Sequence, residues 1–188
     1  MERDGRAPVA TFFVDSSMAP GAISTLGEGA AHHARVKRLE TSDVVRLTDG
    51  AGHVGIGAIG AIHRGSIDVL LDRVDDVARA MPIHLRVPVG DRDRMLWLAE
   101  KATELGVASW QAVRFRRSAS VSPRGEGAAF ADKLRARMIG ALEQSGGAWL
   151  PSILPDVSFD ALTFAAGELP IVLDPRGDPL IGVASLSR

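Results

Sequence analysis

The hydrophobic pattern of this chain changes period once, near Pro82. Before it, "DVVRLTDGAGHVGIGAIGAIHRGSIDVLLDRV" reads as three strands, with turns at Asp49-Gly50 and Arg64-Gly65. In the last of these Ile67, Val69 and Leu71 face one way and Ser66, Asp68 and Asp72 the other. Upstream lie a short strand, "VATFFV", and a helix and loop in "GEGAAHHARVKRLETSD". Beyond Pro82, strand-like runs alternate with segments whose apolar residues recur every three or four positions. "IHLRVPV" (83–89) and "VASWQAVRF" (107–115) flank a helix predicted over 91–106. Asp91 or Asp93 caps that helix, Gly106 stops it, and Met95, Leu98, Ala102 and Leu105 form its buried stripe. A second helix is predicted over 128–146, with Phe130, Leu134, Met138, Ala141 and Leu142 in register. A short helix capped by Ser158 and a strand over 169–174 complete the pattern. Alternation suits an antiparallel meander with one wet face; strand–helix alternation suits a parallel sheet. One sheet cannot serve both. The expected fold is therefore α+β in two domains: a β-barrel over 1–76 and an α/β parallel sheet over 82–188, joined by the charged "VDDVARAMP".

Composition narrows the function. An apolar content of 46 % supports a real core, and a net charge of −1 excludes a chain that is basic throughout. Local basic patches remain open, and 19 of the 22 cationic residues are arginine, which suits phosphate and planar-base contacts. Without cysteine there are no disulfides, thiolate metal sites or cysteine nucleophiles. No H-E-x-x-H pattern occurs, and adjacent His32 and His33 point about 100° apart on a helix, so no metal is expected. The N-terminus holds no long apolar run, and a soluble cytoplasmic protein is expected, with no membrane partner.

Four signals bear on chemistry. "GIGAIG" matches the dinucleotide fingerprint, but a turn and a strand follow it where a helix is required, so it reads as a bent glycine-rich strand. "HHARVKRL" places His32, Arg35 and Arg38 on one helix face, either donors for an RNA backbone or a solvated charged face. Arg94, Trp97, Lys101 and Glu104 share another face, and either stack and bond a base or form a plain Lys101–Glu104 ion pair beside a half-buried tryptophan. Glu143, Gln144 and Ser145 end the second long helix, as site residues or as capping groups.

Together these segments resemble the 16S ribosomal RNA (uracil-N3)-methyltransferases of the RsmE type. "GEGAAHHARVKRLETSDVVRLTDGAG" is similar to that family's N-terminal signature, and "RMLWLAEKATELGV" to its most recognisable helix end. "RRS" falls where the family has a charged pair and serine, and "LEQSG" matches its Glu-Gln-Ser-Gly. The matches keep the family's order over about residues 10 to 175. The resemblance implies a PUA-like RNA-binding barrel followed by a SPOUT-type α/β domain. It further implies S-adenosylmethionine as cofactor, a homodimer, and 16S rRNA or the small ribosomal subunit as partner.

By the same resemblance, His32, His33, Arg35, Lys37, Arg38, Arg114 and Arg116 are expected to bind RNA. Glu104, Lys101 and Arg117 are the expected catalytic residues, with Glu104 as base or uracil-orienting group. Glu143, Gln144 and Ser145 would shape the substrate site, and Leu173 and Asp174 would approach the cofactor. Three departures stand out. The family's Gly-Pro-Glu-Gly-Gly loop and its later Leu-Arg-x-Glu-Thr-like stretch are absent, so the chain is expected to lack the C-terminal knot and to bind S-adenosylmethionine weakly or not at all alone. Gly147 stands where arginine is usual, and Ser42-Asp43 replaces Gly-Asp. The alternative expectation is a non-catalytic RNA-binding module.

Overall fold

The computed structural model describes residues 7–116, 124–173 and 176–177. Strands β1 (Thr11–Phe13), β2 (Ile23–Leu26), β3 (Val44–Thr48), β4 (His53–Ile62) and β5 (Ile67–Asp76) form one sheet in the order β1-β3-β4-β5-β2. Only β1 and β3 pair in parallel. The sheet is a curled half-barrel, and its concave side closes over helix α1 (Glu28–Val36). Ala31 and Ala34 are fully buried there against Phe12, Leu47, Ile67 and Val69, because methyl side chains let the helix approach closely. Val45, Leu47, Ile67, Val69 and Leu71 supply the inward register that the alternation implied. "GIGAIG" lies wholly inside β4 and is followed by β5. The register slips between Ile56 and Gly57, and any Cβ on Gly57 would collide with the Leu70 carbonyl. Its glycines thus serve a bulged, crowded strand and not a dinucleotide.

The second sheet contains β6 (His84–Pro88), β7 (Ser109–Arg114) and β8 (Ser152–Ser158), all parallel and in sequence order. Helix α2 (Arg92–Glu104) makes the first crossover and α3 (Ala128–Ser145) the second, and the two pack on each other. Trp110, Ala112 and Val87 meet Met95, Ala99, Phe130, Leu134 and Met138 in this core. Asp91 caps α2 by accepting the Arg94 N–H at 3.0 Å, an interaction worth about 1 kcal/mol. Buried Thr103 in the same helix is tolerated because its hydroxyl donates to the Ala99 carbonyl at 2.8 Å.

Three expectations change. Leu105 leaves the buried stripe of α2 and is 83 % exposed, because the helix ends there. The third strand of the second sheet is β8, not 169–174, and Phe159–Ala161 is a single 3-10 turn. Pro155 hid that strand. It sits on an edge, at a register shift, where no ladder N–H is needed, and its carbonyl accepts from Gln111 Nε2 at 2.9 Å. Finally, β5 extends to Asp76, and the connection after it is pinned. Val77 N–H donates to the Gly52 carbonyl, and Arg79 donates to the Ala108 carbonyl.

The two sheets meet at the turn 49–53. The Leu150 N–H donates to the Gly50 carbonyl at 2.8 Å, and the Gly52 N–H to the Ala148 carbonyl at 2.9 Å. The Trp149 ring lies against Gly52, held by Nε1 donating to the Val77 carbonyl and by Arg79 stacked 4.8 Å over it. Asp49 shapes the turn, accepting from the N–H groups of Ala51 and His53 and pairing with the His53 ring. Burial alone would raise the Asp49 carboxyl, but these donors together hold it below the usual carboxylate range. The hydrogen bond to Asp49, followed by its charge, raises the His53 imidazole above its ordinary value. From α3, Glu143 accepts the Phe13 N–H at 2.9 Å, and Arg135 reaches Asp15 and the Phe13 ring.

Gly52 has φ +101 and no room for a side chain beside Trp149. Gly52→Ala should lower unfolding stability by about 2 kcal/mol in denaturant titration and red-shift tryptophan emission. His53 gives a second test. Its raised folded-state value means that protonation favours the folded chain. That contribution is full below the unfolded imidazole value of about 6.5 and fades as pH climbs through the higher folded value. The melting temperature of the parent should therefore fall more steeply than that of His53→Gln as pH rises from about 6 to 8.

Candidate functional site

Parallel strands give the second sheet a polarity. At its carboxyl edge lie Pro88 to Asp91, Arg114 to Arg116, and Ser158 to Asp160. Ligands of open α/β sheets bind at such edges. Arg116 forms a two-pronged pair with Asp160, Nε and Nη2 each 3.1 Å from a carboxylate oxygen. Arg114 Nη1 is 3.9 Å from Asp156, which also accepts the Gly127 N–H before α3. Phe115 and Phe159 stack at 4.8 Å between them. Arg124 pairs with Glu126, and the Asp91–Arg124 bridge with the Gly125 N–H to the Gly90 carbonyl ties this segment to the start of α2. The cations of the strand exit thus sit among carboxylates, which sequence reading missed. Asp156 was hidden with the proline-containing strand, and Asp160 was assigned to a helix. Such an edge offers arginine donors beside acceptors and an aromatic face. Arg117 and Asp174 lie outside the described residues, and Leu173 is 82 % exposed.

The expected catalytic pair is elsewhere. Helix α2 starts at the carboxyl edge and runs back, so Glu104 stands near the amino end of β7. A helix of this length carries it roughly 20 Å from Asp91. Glu104 is not at a strand exit, contrary to the premise of its expected role. Within one chain, Lys101 and Glu104 are not brought together with Arg114 and Arg116. Lys101 Nζ is 2.8 Å from Glu104 and 3.0 Å from Glu100, and Arg137 of α3 also reaches Glu100. These carboxylates, Glu104 first, raise the Lys101 ammonium above its usual value, so it acts as a fixed cation. Trp97 on the same helix is 61 % exposed.

Helix α3 also ends at the amino edge. Glu143 there caps the Phe13 N–H, and the Ser145 hydroxyl donates to the Leu142 carbonyl. Gln144 borders a groove between α2 and α3 with Leu96, Glu100 and Arg137. A cavity of about 650 Å³ opens where the sheets meet, lined by Phe13, Asp15, Ser16, Asp49, Arg135 and Leu150. On the sheet face away from the helices, His84 contacts Ser109 and Glu168, and Arg86 lies 3.7 Å from Glu168. Among the described residues, the Arg86 Nε and Nη1 atoms are buried there without a hydrogen-bond partner.

In the half-barrel, His32, Arg35, Lys37 and Arg38 are exposed along the end of α1. His33 is half-buried, its ring edge-on to Phe12 at 5.4 Å, which makes it a packing residue as well as a surface one. Arg35 Nη1 donates to the Arg64 carbonyl at 2.6 Å. No group of three or more metal-ligating side chains occurs among the described residues, and no helix among them is long and apolar enough to cross a membrane.

No curated protein sequence matches the chain. The fold matches a ribosomal RNA small subunit methyltransferase E from Neisseria gonorrhoeae bound to S-adenosyl methionine, with TM-score 0.70 and 22 % identity over 79 % of this chain and 62 % of that one. It matches a putative methyltransferase from Legionella pneumophila in complex with its cofactor SAM at TM-score 0.67 and 24 % identity, covering 80 % of this chain and 63 % of the other. A predicted RNA methyltransferase from Thermotoga maritima gives TM-score 0.64 and 24 % identity, over 84 % and 69 %. The chain therefore spans less than two thirds of the first two proteins' lengths. The RNA methyltransferase PUA domain family matches residues 26–72, and the RNA methyltransferase domain family matches residues 78–185. With more than half its length in that second match, the chain belongs to the RNA methyltransferase family.

Proposed function

We propose that this protein methylates uracil N3 in 16S ribosomal RNA with S-adenosylmethionine as donor, as a cytoplasmic homodimer acting on the small ribosomal subunit. The domains of this reading are a PUA-like RNA-binding unit over 1–76 and a SPOUT-type methyltransferase unit over 82–188. The observation that carries it is the serial match of an RNA methyltransferase PUA domain and an RNA methyltransferase domain on one chain. The small-subunit methyltransferase among the structural matches supports the choice of rRNA.

The donor set at the carboxyl edge fits the cofactor. Asp156 and Asp160 suit its sulfonium and hydroxyls, and the Phe115–Phe159 stack suits a cation or a purine, while Leu173 is assigned to the site by the resemblance alone. Asp174 is assigned to the same site by the resemblance alone. When bound, the cofactor supplies an electrophilic methyl group. This chain's residues must do the rest. Uracil N3 carries a proton and lies on the pairing edge, so the base has to be unpaired and held out of its helix. Arg114 and Arg116, with Arg117, would grip flanking phosphates and favour the imide anion. Glu104 would accept the N3 proton or orient the uracil, while Lys101, at hydrogen-bond distance, stabilises charge on the carbonyl oxygens. Glu143, Gln144 and Ser145 would fix the sheet seam that shapes the substrate path. Since Glu104 and Arg114 lie at opposite edges of one sheet, their joint action requires a second copy to contribute one of them.

The test uses ribosomal subunits from cells lacking the activity, with nucleoside mass spectrometry as readout. Wild-type protein should produce 3-methyluridine, and a product methylated at another atom or no product would defeat the reading. Glu104→Gln should lower turnover about 10²–10⁴-fold. Mixing Glu104→Gln with Arg114→Ala subunits should restore part of the activity, and failure to do so would remove the shared site.

A further inference from the structure

Neither edge of the second sheet uses the cavity where the two sheets meet. Its volume of about 650 Å³ is that of a small-molecule site. Phe13, Met138, Leu150 and Ile153 give it an apolar wall. Among its polar groups, Asp49 is already committed, since it accepts from the Ala51 and His53 N–H groups and pairs with the His53 ring. The remaining charges are Asp15, just after β1, and Arg135, midway along α3.

These two residues meet across the seam. Arg135 Nη2 is 3.2 Å from Asp15 Oδ1, and the guanidinium lies 5.6 Å over the Phe13 ring. The pair adds little to folding, because the Asp15 side chain is 80 % exposed and that of Arg135 47 %. Held at two points, the guanidinium keeps donors to spare, and among the described residues Asp15 Oδ2 accepts no hydrogen bond. What faces the cavity is therefore a donor beside two acceptors, next to an apolar wall. That is the hydrogen-bonding series of cytosine, and guanine is the base that answers it. Guanine has the O6 acceptor followed by two adjacent donors, N1–H and the N2 amino group. Uracil offers one donor between two acceptors. Adenine and cytosine start with a donor, and would set ring acceptors against the carboxylate.

Strand β8 relates the cavity to the carboxyl edge. Ser152 and Ile153 at its start line the cavity, and Ser158 at its end lies at that edge. The strand's length, at roughly 3.3 Å per residue, separates the two by about 20 Å. A single-stranded RNA held at the edge reaches the cavity within a few nucleotides.

Resting on the reading of an RNA substrate, we propose that the cavity between the sheets binds a guanine base of that RNA, with Asp15 accepting from N1–H and the amino group and Arg135 donating to O6. The test measures base preference. Fluorescent oligouridylates with one central guanosine, inosine or adenosine are titrated with the full chain, beside plain oligouridylate. The guanosine oligomer should bind about tenfold tighter than the plain one. Inosine, which lacks the amino group, should fall between them, and adenosine should give no gain. Asp15→Asn puts a donor where guanine needs an acceptor. It should abolish the preference at unchanged melting temperature, because the side chain is exposed. Arg135→Lys keeps a donor for O6 and should keep part of the preference. A parent that binds all four oligomers alike, or none of them, would overturn the guanine site, as would a preference that survives Asp15→Asn. If the same parent still makes 3-methyluridine in ribosomal subunits, the methylation reading stands without the site. A guanosine preference in a protein that leaves the subunits unmethylated would overturn that reading and keep the site.

Discussion

The seam between the sheets depends on a turn that has no side chains in the way. Asp49-Gly50-Ala51-Gly52-His53 turns between β3 and β4, and the segment after α3 lays its backbone along it. Trp149 lies on Gly52, and the Gly50 Cα faces Leu150 so closely that an added Cβ would stand 2.7 Å from the Leu150 Cβ. Two backbone hydrogen bonds, an indole N–H bond and a guanidinium over the indole then hold what glycine admits. Glu143 and Arg135 extend the contact along α3 to β1. Two patterns that could each fold by its own period are thereby joined with defined geometry. The two sheets gain a fixed separation through this contact.

Polarity is the second constraint. Three parallel strands with two crossover helices sort residues by edge. Strand exits and helix starts share the carboxyl edge, and strand starts and helix ends share the other. Residues neighbouring in sequence, such as Glu104 and Arg114, are thereby placed far apart, while Arg114 and Asp156, distant in sequence, come together. Charge is distributed by the same logic. At the carboxyl edge arginines face carboxylates, and at the end of α1 and the β4–β5 turn they do not. A chain with almost no net charge can therefore hold one surface of cations without carboxylate partners among the described residues and another where arginines and carboxylates are paired.

Much of the fold was legible because periodicity reports burial directly. The meander β3–β5, the helix stops at Gly106 and Gly146, and the stripe Phe130–Leu134–Met138–Leu142 all follow from residue type and spacing. Strand β8 was not legible, since a proline normally argues against a strand and only its edge position makes it harmless. Leu105 misled because spacing continues past the point where the helix stops. For the candidate site, residue types were readable and their grouping was not. The Lys101–Glu104 pair is local, three residues apart on a helix, and could be read from spacing. Asp156, Asp160 and Arg64 become partners of the arginines only through strand order and a hairpin turn.

By itself the sequence determined the meander β3–β5, the two long helices and which family's motifs it carries, because period, caps and turn residues act over a few positions. Tertiary structure alone decided which edge each charge occupies and which cations lack a counter-charge. Those outcomes depend on strand direction and on contacts between residues far apart in the chain, and no local pattern encodes either.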